Sequence, residues 1–129
     1  MSNKKRILCI EDEAEMIELM RLVLEREGFE VTGAMGGEQG LKTMRQEKPD
    51  LILLDLMMPG IDGWEVYRQM RADKELAEIP VIIVTAKAQS IDKVLGLQVA
   101  KVADYITKPF GPKELIGSIE RVLAQQNSR

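Results

Sequence analysis

Asp55, Glu11, Asp12, Thr85 and Lys108 each follow a short apolar run, and together they offer three carboxylates, a hydroxyl and an ammonium. Asp55 comes after Leu51-Ile52-Leu53-Leu54 and before Leu56-Met57-Met58-Pro59-Gly60. Glu11 and Asp12 follow Arg6-Ile7-Leu8-Cys9-Ile10, Thr85 follows Val81-Ile82-Ile83-Val84, and Lys108 follows Tyr105-Ile106-Thr107. If these runs are adjacent parallel strands, the polar groups converge on the sheet edge where open parallel sheets bind ligands. Magnesium wants oxygen ligands and keeps several waters. Glu11, Asp12 and Asp55 could supply carboxylates, and a loop carbonyl just after Asp55 a further ligand. Carboxylates at close range repel, so without a cation at least one should have a raised pKa. An aspartate carboxylate can also act as a nucleophile and form an acyl phosphate. A cation and Lys108 would spread the charge of the transferring group, and the Thr85 hydroxyl could donate to one of its oxygens. Taken singly, each residue is ordinary: a helix cap, a strand-ending threonine, a Lys-Pro turn. The joint pattern, with the right group at the end of the first, third, fourth and fifth strands, carries the information.

The elements that must position these groups are legible from periodicity. Leu51–Leu54 has no polar face, which suits a central strand covered by helices on both sides. The first strand is expected at about Arg6–Ile10, followed by a helix over Ala14–Glu27 that Asp12 or Glu13 can cap. Met16, Ile17, Met20, Val23 and Leu24 form its apolar face, and Gly28 sits where a left-handed residue closes a helix. Phe29–Ala34 reads as the second strand. A short helix runs from Gly36-Gly37 to Gln46, with Leu41 and Met44 inward, and Lys48-Pro49 stops it. Asp62 or Gly63 starts a third helix with Val66 and Met70 inward, and Trp64 is expected partly exposed on it. After the fourth strand, Val81–Thr85, Ser90 can cap a fourth helix carrying Ile91, Val94, Leu95, Gln98, Val99 and Val102 on one side. The fifth strand is about Asp104–Thr107. Gly111-Pro112 opens the last helix, with Leu115, Ile116, Ile119, Val122 and Leu123 as its stripe, and the polar end from Ala124 is expected to fray. Alternation of this kind gives βαβ units and a parallel sheet.

A chain of 129 residues is one domain by length, expected over 1–123, with 124–129 a polar tail or the start of a linker. A net charge of −3 argues against direct nucleic-acid binding by this domain. No apolar run approaches the roughly 20 residues that span a bilayer. The basic start, Met1 to Arg6, reads as a strand entry, not a signal peptide. The lone Cys9 reads as an inert buried thiol and the methionines as core filler. Nothing suggests an oxidising compartment, so a cytoplasmic location is expected. With no histidine, a Ser-His-Asp triad, a histidine metal site and self-phosphorylation on histidine are excluded.

The motifs Ile10-Glu11-Asp12-Glu13, Leu53-Leu54-Asp55 through Gly63, Val84-Thr85-Ala86 and Asp104-Tyr105-Ile106-Thr107-Lys108-Pro109-Phe110 together resemble a receiver domain of the bacterial two-component response regulators. The resemblance covers about Lys5 to Leu123. It implies a flavodoxin-like, doubly wound five-stranded parallel sheet in the order 2-1-3-4-5 with five helices. It implies phosphorylation of Asp55 from the phosphohistidine of a sensor histidine kinase or phosphotransfer protein. It further implies Mg2+ held by Glu11 or Asp12 (one of them often through water), by Asp55 and by the Met57 carbonyl. Lys108 would pair with the phosphoryl group, across a cis bond to Pro109. Phosphorylated Asp55 would attract Thr85, and Tyr105 would turn inward into the vacated space. The face of the fourth helix, fifth strand and fifth helix would then change for a downstream protein target, an effector domain or a homodimer partner. Such a protein catalyses only its own phosphorylation and dephosphorylation. Met57 and Lys87 lie two residues after Asp55 and Thr85, bordering the hydrolytic water's path, where Met57 could shield the acyl phosphate.

Two departures stand out. Ala100-Lys101-Val102-Ala103-Asp104-Tyr105 counts one residue longer than the family's Gly-Ala-Asp-Asp-Tyr type and lacks its glycine, predicting a longer or differently ended fourth helix. Leu95 and Ser118 stand where the transcription-factor branch often carries arginines for a charged dimer face, leaving Asp104 and Glu114 without those cations. Competing readings are a haloacid dehalogenase-type phosphatase and a phosphorylation-independent binding module. The former wants a second acid where Met57 stands. A flavodoxin would need a phosphate loop where Glu11-Asp12-Glu13 would repel phosphate.

Overall fold

The computed structural model describes residues 4–86 and 102–127. Its five strands are β1 (Arg6–Glu11), β2 (Glu30–Met35), β3 (Leu51–Leu54), β4 (Val81–Ala86) and β5 (Asp104–Lys108). They form one sheet in the order β2-β1-β3-β4-β5, and every pairing is parallel. The described helices are α1 (Ala14–Arg26), α2 (Gly37–Glu47), α3 (Gly63–Arg71) and a C-terminal helix (Pro112–Asn127). The fourth predicted helix, with Ser90 and Leu95, lies outside the described residues, as does Lys87. Val102, assigned to that helix from its spacing, instead lies in coil directly before β5.

Alternation along β1 divides the core. Leu8 and Ile10 face a layer containing Leu41, Met44, Val66, Tyr67 and Met70, from α2 and α3. Ile7 and Cys9 face the opposite layer, with Met20 and Leu24 of α1 and Leu115, Ile119 and Val122 of the C-terminal helix. β3 is buried along its whole length, as its unbroken apolar run requires. Burial pushes the Cys9 thiol up to about 12, so it stays protonated and inert. Trp64 packs partly against the first layer and meets Tyr67 edge-on, at 6.1 Å between centroids.

Four strand ends, those of β1, β2, β4 and β5, fall one residue later than the sequence predicts. Glu11 is the last residue of β1, paired with Met35. Thr85 lies inside β4, paired with Thr107, and Lys108 closes β5 opposite Ala86. Pairing with a neighbouring strand extends each ladder by one residue, which sequence periodicity does not register. Asp12 and Asp55 lie just beyond their strands. Glu13 takes the α1 cap position without a side-chain bond, whereas Asp62 caps α3 by accepting from the Glu65 N–H at 3.0 Å. The last helix continues to Asn127 where fraying was expected, because Ala124, Gln125 and Gln126 are good helix formers.

Candidate functional site

Parallel pairing brings the C-terminal ends of β1, β3, β4 and β5 to one edge. There Glu11, Asp12 and Asp55 each place a carboxylate oxygen within 4.8 Å of the others. Asp55 is 4% exposed and Glu11 1%, with Asp12 half-buried at the rim. The Asp55 N–H donates to the Ile10 carbonyl at 3.0 Å, which fixes its position against β1. Its Oδ1 accepts from the Met57 N–H at 3.1 Å.

Lys108 reaches into the same cluster. Its Nζ lies 2.7 Å from Glu11 Oε2, 3.5 Å from Asp55 Oδ2 and 3.9 Å from Glu13 Oε1. The Lys108-Pro109 bond is cis, in keeping with the family pattern. Thr85 is fully buried, and its hydroxyl makes no hydrogen bond. An unused buried hydroxyl is costly. Each site residue inferred from the sequence except Tyr105 therefore sits on this edge. Tyr105 occupies β5 beside it, packed partly against the first core layer. Its hydroxyl is buried without a partner, so it does not rest in water as an ordinary strand tyrosine would.

The electrostatics match the crowding. Burial raises the Glu11 carboxyl well above the usual range; the Lys108 hydrogen bond opposes this, and Asp55 adds to it. Burial alone would lower Lys108, but the hydrogen bond to Glu11 and the charges of Glu11, Asp55 and Glu13 outweigh it and raise the ammonium. Among the described residues, three acids are answered by one lysine, which leaves an excess of negative charge, and a donor set made of oxygens suits a hard divalent cation.

Two contributors escaped the sequence reading. Glu13, a helix-cap candidate and part of the acidic motif in the sequence but not assigned to the site, adds a third carboxylate to the surroundings of Lys108. Gly63 was read only as a helix start. A Cβ there would stand 2.4 Å from the Asp55 carbonyl oxygen, and its N–H donates to Leu56 O at 3.1 Å. A missing side chain thus lets α3 begin directly against the Asp55 backbone; the Asp62-Gly63 pair after Pro59-Gly60 was the available signal. Ser118, at a position where the transcription-factor branch often carries an arginine, is buried and donates to Asp104. Asp104 does have a cation, Arg121, at 3.3 Å. Helix periodicity turns Ser118 toward β5, and Arg121, one turn further on, follows it.

Sheet order and helix layers define a flavodoxin-like, doubly wound fold with an acidic cluster at its C-terminal edge. The family model described as the response regulator receiver domain matches residues 7–120, and the chain belongs to that family. Two curated relatives are regulators by name. The alkaline phosphatase synthesis transcriptional regulatory protein PhoP of Bacillus subtilis is 44% identical, over 92% of this chain and 48% of its own length. The DNA-binding response regulator MtrA of Mycobacterium tuberculosis is 41% identical, over 96% of this chain and 53% of its own. The chain thus spans about half the length of the curated relatives it matches. A crystal structure of a putative response regulator from Chloroflexus aurantiacus superposes with TM-score 0.87 at 31% identity, covering 95% of this chain and 99% of that one. The chemotaxis protein CheY4 of Vibrio cholerae shares the fold, with TM-score 0.86 at 24% identity, covering 92% of this chain and 98% of that one. This is a two-component signalling domain. Among the described residues, no helix is long and apolar enough to cross a membrane.

Proposed function

We propose that the chain is a phosphoacceptor switch in which Asp55 takes a phosphoryl group from a phosphohistidine of a sensor kinase or phosphotransfer protein. An Asp55 carboxylate oxygen attacks phosphorus, the O–P bond forms as the P–N bond breaks, and the donor imidazole leaves with the bonding pair. Glu11, Asp12, Asp55 and the Met57 carbonyl would hold Mg2+, which when bound supplies charge neutralisation to the phosphoryl oxygens. Lys108 already lies between Glu11 and Asp55 and would transfer its hydrogen bonding to those oxygens. Thr85 would donate its unused hydroxyl to one of them, and its movement would alter the packing of Tyr105. The altered face, including β5 and the C-terminal helix, is what a downstream protein or effector domain would read.

The single observation carrying this reading is the buried Asp55 carboxylate, with two more carboxylates and an ammonium gathered around it. A dehalogenase-type phosphatase is disfavoured, because a half-exposed Met57 stands where its general acid would be. The test is intact mass after incubation with acetyl phosphate and Mg2+. The parent should gain one phosphoryl group, while Asp55→Asn and chelator-treated parent should gain none. Equal gain in Asp55→Asn would move the acceptor elsewhere.

A further inference from the structure

Among the described residues β5 is an edge strand, paired with β4 alone, so its position depends on what holds its two ends. At one end Lys108 is drawn into the acidic cluster. At the other end the Asp104 carboxylate collects three donors. Its Oδ1 accepts from the Tyr105 N–H at 2.7 Å. Its Oδ2 accepts from the Ser118 hydroxyl and from Arg121 at 3.3 Å. Ser118 and Arg121 both belong to the C-terminal helix, so one carboxylate spans strand and helix. The two links differ in strength. Arg121 is 68% exposed in its side chain, and solvent screens such a pair. Ser118 is 1% exposed; breaking its bond to a charged acceptor would orphan a buried hydroxyl.

We infer that Asp104, gripped by the buried Ser118 hydroxyl and by Arg121, is the tie that makes the C-terminal helix follow β5 when the acidic cluster rearranges. Ser118 acts through Asp104 and is a positioning residue. The inference rests on the proposed switch only for the natural trigger, since any change at Lys108 should also pull on β5.

Amide hydrogen exchange reads the tie directly, because it reports local opening segment by segment. Two triggers are used in the same protein: phosphorylation by acetyl phosphate with Mg2+, scored by intact mass, and Lys108→Met, which cuts the strand loose from the cluster. In the parent, each effective trigger should change exchange in the β5 peptide and in the peptide over 112–123. In Ser118→Ala the β5 change should persist, while the helix change falls about twofold or more, as for a coupling carried by a defined contact. Arg121→Gln, at an exposed position with little risk to folding, should give a smaller reduction. A mere staple would raise baseline exchange in Ser118→Ala and leave the trigger-dependent difference intact, and that result overturns the inference. So does a parent helix that responds to neither trigger. If acetyl phosphate adds no mass, the phosphoacceptor reading fails on its own, and the Lys108→Met arm still decides the tie.

Discussion

Asp50 and Asp55 flank the same strand, one just before Leu51 and one just after Leu54, and they meet opposite surroundings. The Asp50 carboxylate accepts from the Arg6 N–H at 2.7 Å, while the Asp50 N–H returns a bond to the Arg6 carbonyl at 2.8 Å. That acid is half-exposed and matched to backbone, and it closes the start of the β1–β3 pairing. Asp55 is buried beside two other carboxylates, one of which competes for the same lysine. A strand-flanking acid is therefore no guide to function by its type. What separates the two is whether the surroundings answer its charge or add to it. Where like charges are crowded together, a bound cation has an electrostatic purpose.

Removing Lys108 from the crowded end should cost most. Lys108→Met leaves buried carboxylates uncompensated, and urea unfolding at pH 8 without Mg2+ should show a loss of about 3 kcal/mol. The loss should shrink in acid, where Glu11 takes up a proton. A cost no larger than that of a surface substitution would erase the contrast between the two ends. Gly63→Ala forces a Cβ against the Asp55 carbonyl, 2.4 Å away, and should cost about 2 kcal/mol by overpacking. It should also weaken Mg2+ binding in a calorimetric titration, which a purely structural clash remote from the site would not do.

The pH dependence of the metal-free protein has a definite sign. The folded Glu11 pKa is raised from 4.5 to about 7, so the folded chain holds a proton that the unfolded chain has released. The stabilisation is full below the unfolded value and is lost as pH rises through about 7. Saturating Mg2+ should remove that decline. Below pH 7, Mg2+ affinity should rise with pH by at most about tenfold per unit, as one proton is displaced. Affinity independent of pH would mean that Glu11 is not a ligand. The smallest effect belongs to the other end: Asp50→Asn keeps an acceptor for Arg6 and should change stability by about 0.5 kcal/mol.

Unbroken apolar runs made the sheet legible. Leu51–Leu54 and Val81–Val84 could be little else than buried parallel strands, and their following residues located the site. The helix faces were equally plain: Met20 and Leu24, Val66 and Met70, Leu115 and Ile119 all point inward as their spacing requires. What stayed hidden depends on partners distant in the chain. Nothing local says that Glu11 is still in a ladder, because Met35 decides it. Nothing local gives Glu13 its approach to Lys108 or turns Ser118 toward Asp104. Gly63 was visible as a turn residue, but the carbonyl it must clear belongs to the end of another element.

The contact between Lys108 and Glu11 joins residues 97 positions apart. One half of the site therefore leaves the ribosome well before the other. Because domains fold as units once enough chain has emerged, the cluster assembles with its lysine only after β5 has been made. The lysine that tempers the acids thus ties the finished site to the arrival of the fifth strand.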